Sequence, residues 1–224
     1  PILILLHDLK KARWTYNPFR NILAKRALSH CTVLSVSDAL RNHIESRGYK
    51  NIRTLRNGID LSFWKSEMAQ EDARKTLELP IDQTIFLFAG RIGHDKGATA
   101  LDRTLPEESS LIVAGEVPPG NFLRIIKQLH VFPHQSAKEM RLLYAACDAA
   151  IVPSVYLDPF PTICLEAMAC SRPVIATSHG GAQEAVKDGE TGWVVDPLKE
   201  ESLKQQLLWC KQYREELSSF GIRA

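Results

Sequence analysis

A chain of 224 residues with 45% hydrophobic and 24% charged residues is long enough for one large globular domain or two smaller ones. Its formal net charge of +2 is too small to argue for nucleic acid as a partner, and no apolar run approaches the roughly 20 residues that span a bilayer. The five cysteines (Cys31, Cys147, Cys164, Cys170, Cys210) are odd in number and contain no C-x-x-C pair. They read as reduced core thiols of a cytoplasmic protein.

The opening Ile2–Leu6 is a short apolar run without a basic leader or a small-residue cleavage site, and reads as a buried strand. Lys10, Lys11, Arg13, Arg20, Lys25 and Arg26 follow with no acid among them, interleaved with Trp14, Tyr16 and Phe19. That mixture fits either a solvated helix face or a peripheral contact with an anionic membrane, at its inner, cytoplasmic side. Further apolar runs at Thr32–Val36, Ile52–Leu55, Ile85–Ala89, Leu111–Ala114, Ala149–Val152 and Val174–Ala176 have the pattern of strands buried on both faces. Amphipathic stretches lie between them, among them Asn21–Ser29, Ala39–Arg47, Ala137–Ala146 and Ile163–Ala169.

Alternating βα units predict an α/β protein with parallel sheets flanked by helices. Asn57-Gly58 suits a turn with positive φ, so a boundary is placed there. Residues 1–60 then form the remainder of one Rossmann-like unit and a hinge, and residues 61–224 form a second unit.

Two loops carry most of the chemistry. Directly after the strand TIFLF comes Gly90–Gly97, GRIGHDKG, where Gly90, Gly93 and Gly97 let the backbone turn tightly. Arg91 and Lys96 there are suited to a diphosphate without a metal. The second stretch, PSVYLDPFPTICLEAMACSRPVIAT, places Asp158 in a loop and Glu166 near the start of a helix. A positive helix end favours ionised Glu166, an acceptor-only group suited to the vicinal hydroxyls of a ribose. A catalytic carboxylate pair, as in glycoside hydrolysis, is the competing interpretation of these two acids. His179-Gly180-Gly181 then reads as the opening of another helix, whose amides could meet a phosphate. The seven histidines show no metal-ligand spacing, so neither a metal nor any other cofactor is expected.

Taken in order, GRIGHDKG, PSVYLDPFPTICLEAMACSRPVIAT and GGAQEAV closely resemble the C-terminal domain of the family-four retaining glycosyltransferases of GT-B fold. His7-Asp8, Val36-Ser37 and Asn57–Asp60 resemble points in that family's N-terminal domain and hinge. The resemblance implies transfer of a sugar from a nucleoside-diphosphate sugar to a hydroxyl of a glycan or lipid-linked acceptor. It implies that Gly90, Arg91 and Lys96 hold the donor diphosphate and that Glu166 holds the ribose. It also implies that Asp158 and His7 flank the sugar from opposite sides of the cleft. The amides at Phe160, Thr162 and Ile163 would face sugar or phosphates, and the loop ending at His134 would contact the base.

Departures accompany the resemblance. The first acid is Asp158 where the family has Glu, shortening its reach by one C–C bond, about 1.5 Å. Pro159 and Pro161 remove two amide donors from a loop that is glycine-rich in the family. The family's first N-terminal strands and its long C-terminal helix have no counterpart here, as expected of a piece of a larger enzyme or a reduced member. A nucleotide-sugar-binding module without transfer activity, or an epimerase of the same fold, is the alternative function.

Overall fold

The computed structural model describes residues 3–6, 22–23, 25–26, 28–65, 68–117 and 126–224. Among the described residues nine strands fall into two wholly parallel sheets. The smaller sheet has the order β1 (Leu3–Leu6), β2 (Thr32–Ser35), β3 (Ile52–Thr54). The larger has six strands in the order β6 (Leu129–Phe132), β5 (Ser109–Ala114), β4 (Thr84–Ala89), β7 (Ala149–Val152), β8 (Val174–Thr177), β9 (Gly192–Val195). Counted within that sheet the order is 3-2-1-4-5-6, the doubly wound arrangement, and its topological switch lies between β4 and β7.

The period of two along each strand builds two cores. Ile85, Leu87, Ile112, Ala150 and Val174 face one side, under Leu143 and Tyr144 of α5 (Ala137–Ala146) and Cys164 and Ala167 of α6 (Thr162–Ala169). Phe86, Phe88, Leu111, Val113 and Ile151 face the other. There they meet Leu101 of α4 (Ala98–Thr104), Leu203 and Leu207 of α7 (Glu200–Gln212) and Leu217 of α8 (Leu217–Arg223). Phe86, Leu87 and Ile112 are wholly buried, each side chain contributing about 1.5–3 kcal/mol over an exposed position.

One charged pair is buried at the amino ends of the strands. Arg74, on α3 (Gln70–Thr76), is 1% exposed and donates to Asp148 Oδ2 at 2.7 Å. It also donates to the carbonyls of Ala146, Pro80, Ile81 and Gln83. Asp148, immediately before β7, accepts the Ile85 amide at 2.7 Å and bonds from Gln70 and Arg214. The pair fastens α3 to the amino ends of β4 and β7.

The two sheets meet through polar and apolar contacts. Glu184 accepts the amides of Asp38 and Ala39, at 3.0 and 2.7 Å, in the first turn of α1 (Asp38–Ser46). Arg56 donates to both Glu184 and Asp38, and Thr54 and Arg41 also engage Asp38. The Arg56 guanidinium is held above its ordinary pKa, foremost by its bond to Glu184. Beside this network Phe160 is buried with Val33, Val36, Leu40, Ile44, Tyr49 and Ile52 of the small unit.

Several local expectations give way to tertiary structure. Neither Asn57 nor Gly58 has a positive φ; Asp60 instead caps the short helix α2 (Leu61–Trp64), accepting from Ser62 and Phe63. Strands β6 and β9 were not foreseen, and α7 was not singled out. The described residues from 22 to 28 are helical, within the stretch expected to be so. His7 and most of the basic, aromatic segment from Lys10 onward lie outside the described residues.

Candidate functional site

The carboxyl ends of β4, β5 and β7 open on a cavity of about 580 Å³, in the range of small-molecule sites. Its place is the switch point, where adjacent strands feed loops in opposite directions and leave a crevice. Gly90 and Gly115 directly follow the neighbouring strands β4 and β5. A Cβ on Gly115 would stand 2.2 Å from the Gly90 carbonyl oxygen, so only glycine lets the two strand ends approach.

The loop after β4 turns through a three-residue 3-10 segment, His94–Lys96, and enters α4 at Gly97 with φ +79. A Cβ there would lie 1.8 Å from the carbonyl oxygen of Pro153, so the glycine presses this loop against the end of β7. The Val155 amide donates to Asp95 O at 3.0 Å and ties the same two loops. Lys96 Nζ is thereby delivered to Asp158 Oδ2, 2.6 Å away. Ser154 Oγ donates to the same Oδ2 at 3.2 Å, so both side-chain bonds fall on one carboxylate oxygen. Burial opposes the Lys96 charge, but Asp158 and Tyr156 outweigh it and hold the lysine above its ordinary pKa.

Asp158 is only 5% exposed, and the glycine pair explains how its loop is seated. Asp158 bridges to Gly180, and the Gly181 amide donates to the Asp158 carbonyl at 2.7 Å. Side chains at Gly180 and Gly181 would collide with the backbones of Asp158 and Pro159. These glycines therefore serve close packing. The helix expected after them is only the 3-10 turn Ala182–Glu184, and His179 bonds Asp196 at 2.8 Å without lining the cavity.

Arg91 lines the cavity with its guanidinium on Asp95, at 2.5 Å, and its side chain is 60% exposed. Helix α6 begins at Thr162 and presents Thr162, Ile163 and Glu166 to the same space, as positions three and four apart should. Glu166 stands in the second turn, beyond the first-turn amides expected to favour its charge. Its partner is the phenol of Tyr144, which donates to Oε2 at 2.9 Å. Helix α5 starts in a capping box of Ser136 and Glu139, and carries Met140 and Tyr144 to the cavity one turn apart. His134, just before it, has φ +51, and its Nε2 meets Glu116 at 3.0 Å.

Of the residues singled out from the sequence, Gly90, Arg91, Lys96, His134, Asp158, Thr162, Ile163 and Glu166 line one cavity. Phe160 does not; its ring is in the core of the small unit, and Asn57 Nδ2 donates to its carbonyl at 3.5 Å. His7 lies outside the described residues. Sequence reasoning passed over Tyr144, Ser154, Met140 and Gly115. Only Gly115 carried a signal: it ends LIVAG as Gly90 ends IFLFAG.

The doubly wound sheet, with Lys96, Arg91, Asp158 and Glu166 at its switch crevice, defines an α/β protein of Rossmann-like architecture. The chain belongs to the glycosyl transferases group 1 family, whose description matches residues 69–224. It is 28% identical over 191 residues to an uncharacterized glycosyltransferase of Methanocaldococcus jannaschii, covering 77% of this chain and 49% of that protein. It is 33% identical over 159 residues to the D-inositol 3-phosphate glycosyltransferase of Mycolicibacterium smegmatis, covering 65% of this chain and 36% of that one. Among solved structures it resembles Anabaena HepE in complex with UDP and glucose, with a TM-score of 0.82 and 20% identity. That likeness covers all of this chain and 65% of HepE, and establishes the GT-B glycosyltransferase fold. The chain thus spans about a third to a half of the length of these curated relatives.

Proposed function

We propose that this chain supplies the donor side of a retaining glycosyltransferase, moving a hexose-type sugar from a nucleoside-diphosphate sugar to a hydroxyl. The observation that carries this reading is the convergence of Lys96, Arg91, Asp158 and Glu166 on one crevice at the switch point. The family membership of the chain supports it, as does the UDP held by the similar Anabaena protein.

In this reading negative charge grows on the departing diphosphate, and preorganised cations stabilise it without moving. Lys96 is held at the crevice by Asp158, and Arg91 reaches it from the rim. Because Asp158 gives only Oδ2 to Lys96 and Ser154, its Oδ1 is the oxygen that meets the sugar. Asp158 is tied to a lysine, which weakens it as a nucleophile, so departure and attack occur on the same face of the sugar. The family resemblance assigns to His7 the role of meeting the sugar from across the cleft. The acceptor is a glycan or lipid-linked saccharide, and the basic, aromatic segment from Lys10 to Arg26 brings the protein to an anionic membrane surface.

The test is transfer from labelled UDP-, GDP- and ADP-hexoses by the full protein, with the anomeric configuration of the product read by NMR. Transfer with retention is expected, and its loss in Lys96→Met. An inverted product or an undiminished Lys96→Met would overturn the assignment.

A further inference from the structure

Tyr144 is the most buried polar side chain at the crevice, and the transfer step gives it no task. Its exposure is 0%, and its ring stands edge-on to Trp64 at 5.9 Å between centroids. Burial first, and then the neighbouring Glu166 charge, push its phenol far above the ordinary tyrosine range. It therefore stays a neutral donor at any working pH. A phenol has one proton to give, and here it goes to Glu166 Oε2.

That single bond decides how Glu166 is presented. Among the described residues no other side chain is bonded to the Glu166 carboxylate. A glutamate carboxylate otherwise rotates broadly about its last torsion. With Oε2 anchored on a buried ring, that rotation is restricted, and Oε1, to which no described side chain is bonded, is the oxygen left for a ligand in the cavity that Glu166 lines.

We infer that Tyr144 is a positioning residue that holds Glu166 to accept a ribose 2′,3′-diol, and so makes the crevice select ribonucleotides over 2′-deoxyribonucleotides. The inference rests on the reading above, in which Glu166 meets the ribose. A diol offers two donors to a carboxylate whose orientation is already set. A 2′-deoxyribose offers one and leaves an anchored acceptor unmatched, which binding penalises.

The experiment measures Kd by calorimetry for UDP, GDP and ADP and for their 2′-deoxy counterparts. It compares the wild-type chain with Tyr144→Phe, Glu166→Ala and the double variant. For the ribonucleotide that binds most tightly, Tyr144→Phe is expected to weaken binding about tenfold. Its 2′-deoxy counterpart should change by no more than about twofold, so the preference collapses. Adding Tyr144→Phe to Glu166→Ala should change neither affinity further, because the tyrosine acts only through the glutamate. Tyr144→Met, which fills similar volume without a hydroxyl, should give the same ratio if the Phe variant folds poorly.

Equal weakening of both nucleotide classes, or full additivity in the double variant, would show a merely structural tyrosine and overturn the inference alone. A ribose preference that survives Glu166→Ala, or no nucleotide bound by the wild type, would overturn the ribose reading beneath it as well.

Discussion

Strand β7 has a buried aspartate at each end, each paired with a cation, and the two pairs are built for different ends. Asp148, before the strand, and Asp158, beyond it, are both 5% exposed. At the amino end Arg74 shares its donors between Asp148 and four carbonyls, while both Asp148 oxygens accept further bonds. Asp148 also lines a smaller cavity of about 260 Å³, but both of its oxygens are already engaged there. At the carboxyl end Lys96 meets Asp158 beside an open cavity, and both side-chain bonds to Asp158 use one oxygen. A buried ion pair is structural when its hydrogen-bonding capacity is exhausted, and a site when some of it faces a crevice.

The sharpest way to break this contrast is Arg74→Met. It leaves the Asp148 charge buried with only Arg214 and neutral donors, and should cost about 3–5 kcal/mol in urea-induced unfolding. Nucleotide affinity of the folded fraction should be unchanged. Lys96→Met should do the reverse: a smaller loss of stability, because water in the open cavity that Asp158 lines can solvate the orphaned carboxylate, but a Kd for nucleoside diphosphate raised about ten- to a hundredfold by calorimetry. Equal stability losses from the two substitutions would erase the distinction between the ends of β7.

A third carboxylate, Glu184, sharpens the comparison because it ties one sheet to the other. Glu184→Ala should raise hydrogen exchange at the Asp38 and Ala39 amides by about tenfold or more while sparing the amides of β4. The same network should weaken in acid. Asp38 lies below its ordinary value of 3.8, foremost through its bond from Thr54 and then through Arg41 and Arg56, against some desolvation. A depressed folded pKa adds stability above the unfolded value and loses it as pH falls through the folded one. Protection of these two amides should therefore be constant at neutral pH and decline below about pH 4.

The smallest expected effect is at the thiols. Burial pushes Cys147 and Cys210 up to about 12 and Cys170 to about 11. At pH 8 these stay protonated, so Ellman's reagent should modify them only at the rate at which urea or spontaneous opening exposes them.

The sheets and the two chemical loops were legible because apolar runs bounded by glycine, and acids or cations just past a strand, are local signals. The unforeseen strands lacked such signals. Strand β6 is an edge strand, LHVF, none of whose residues is fully buried, and β9 is four residues following a turn. Gly180 and Gly181 were read as a helix start because their purpose, room for the Asp158 loop, exists only after folding. Tyr144 is the clearest case. It looked like any core aromatic of an amphipathic helix, and only the packing of α5 beside α6 puts its hydroxyl on Glu166.

The most direct test of the central claim is a crystal structure of the chain soaked with UDP, GDP or ADP at saturating concentration. The account predicts diphosphate oxygens on Lys96 and Arg91, with the ribose hydroxyls on Glu166 Oε1. A nucleotide bound elsewhere, or a crevice that stays empty with all three, would contradict it.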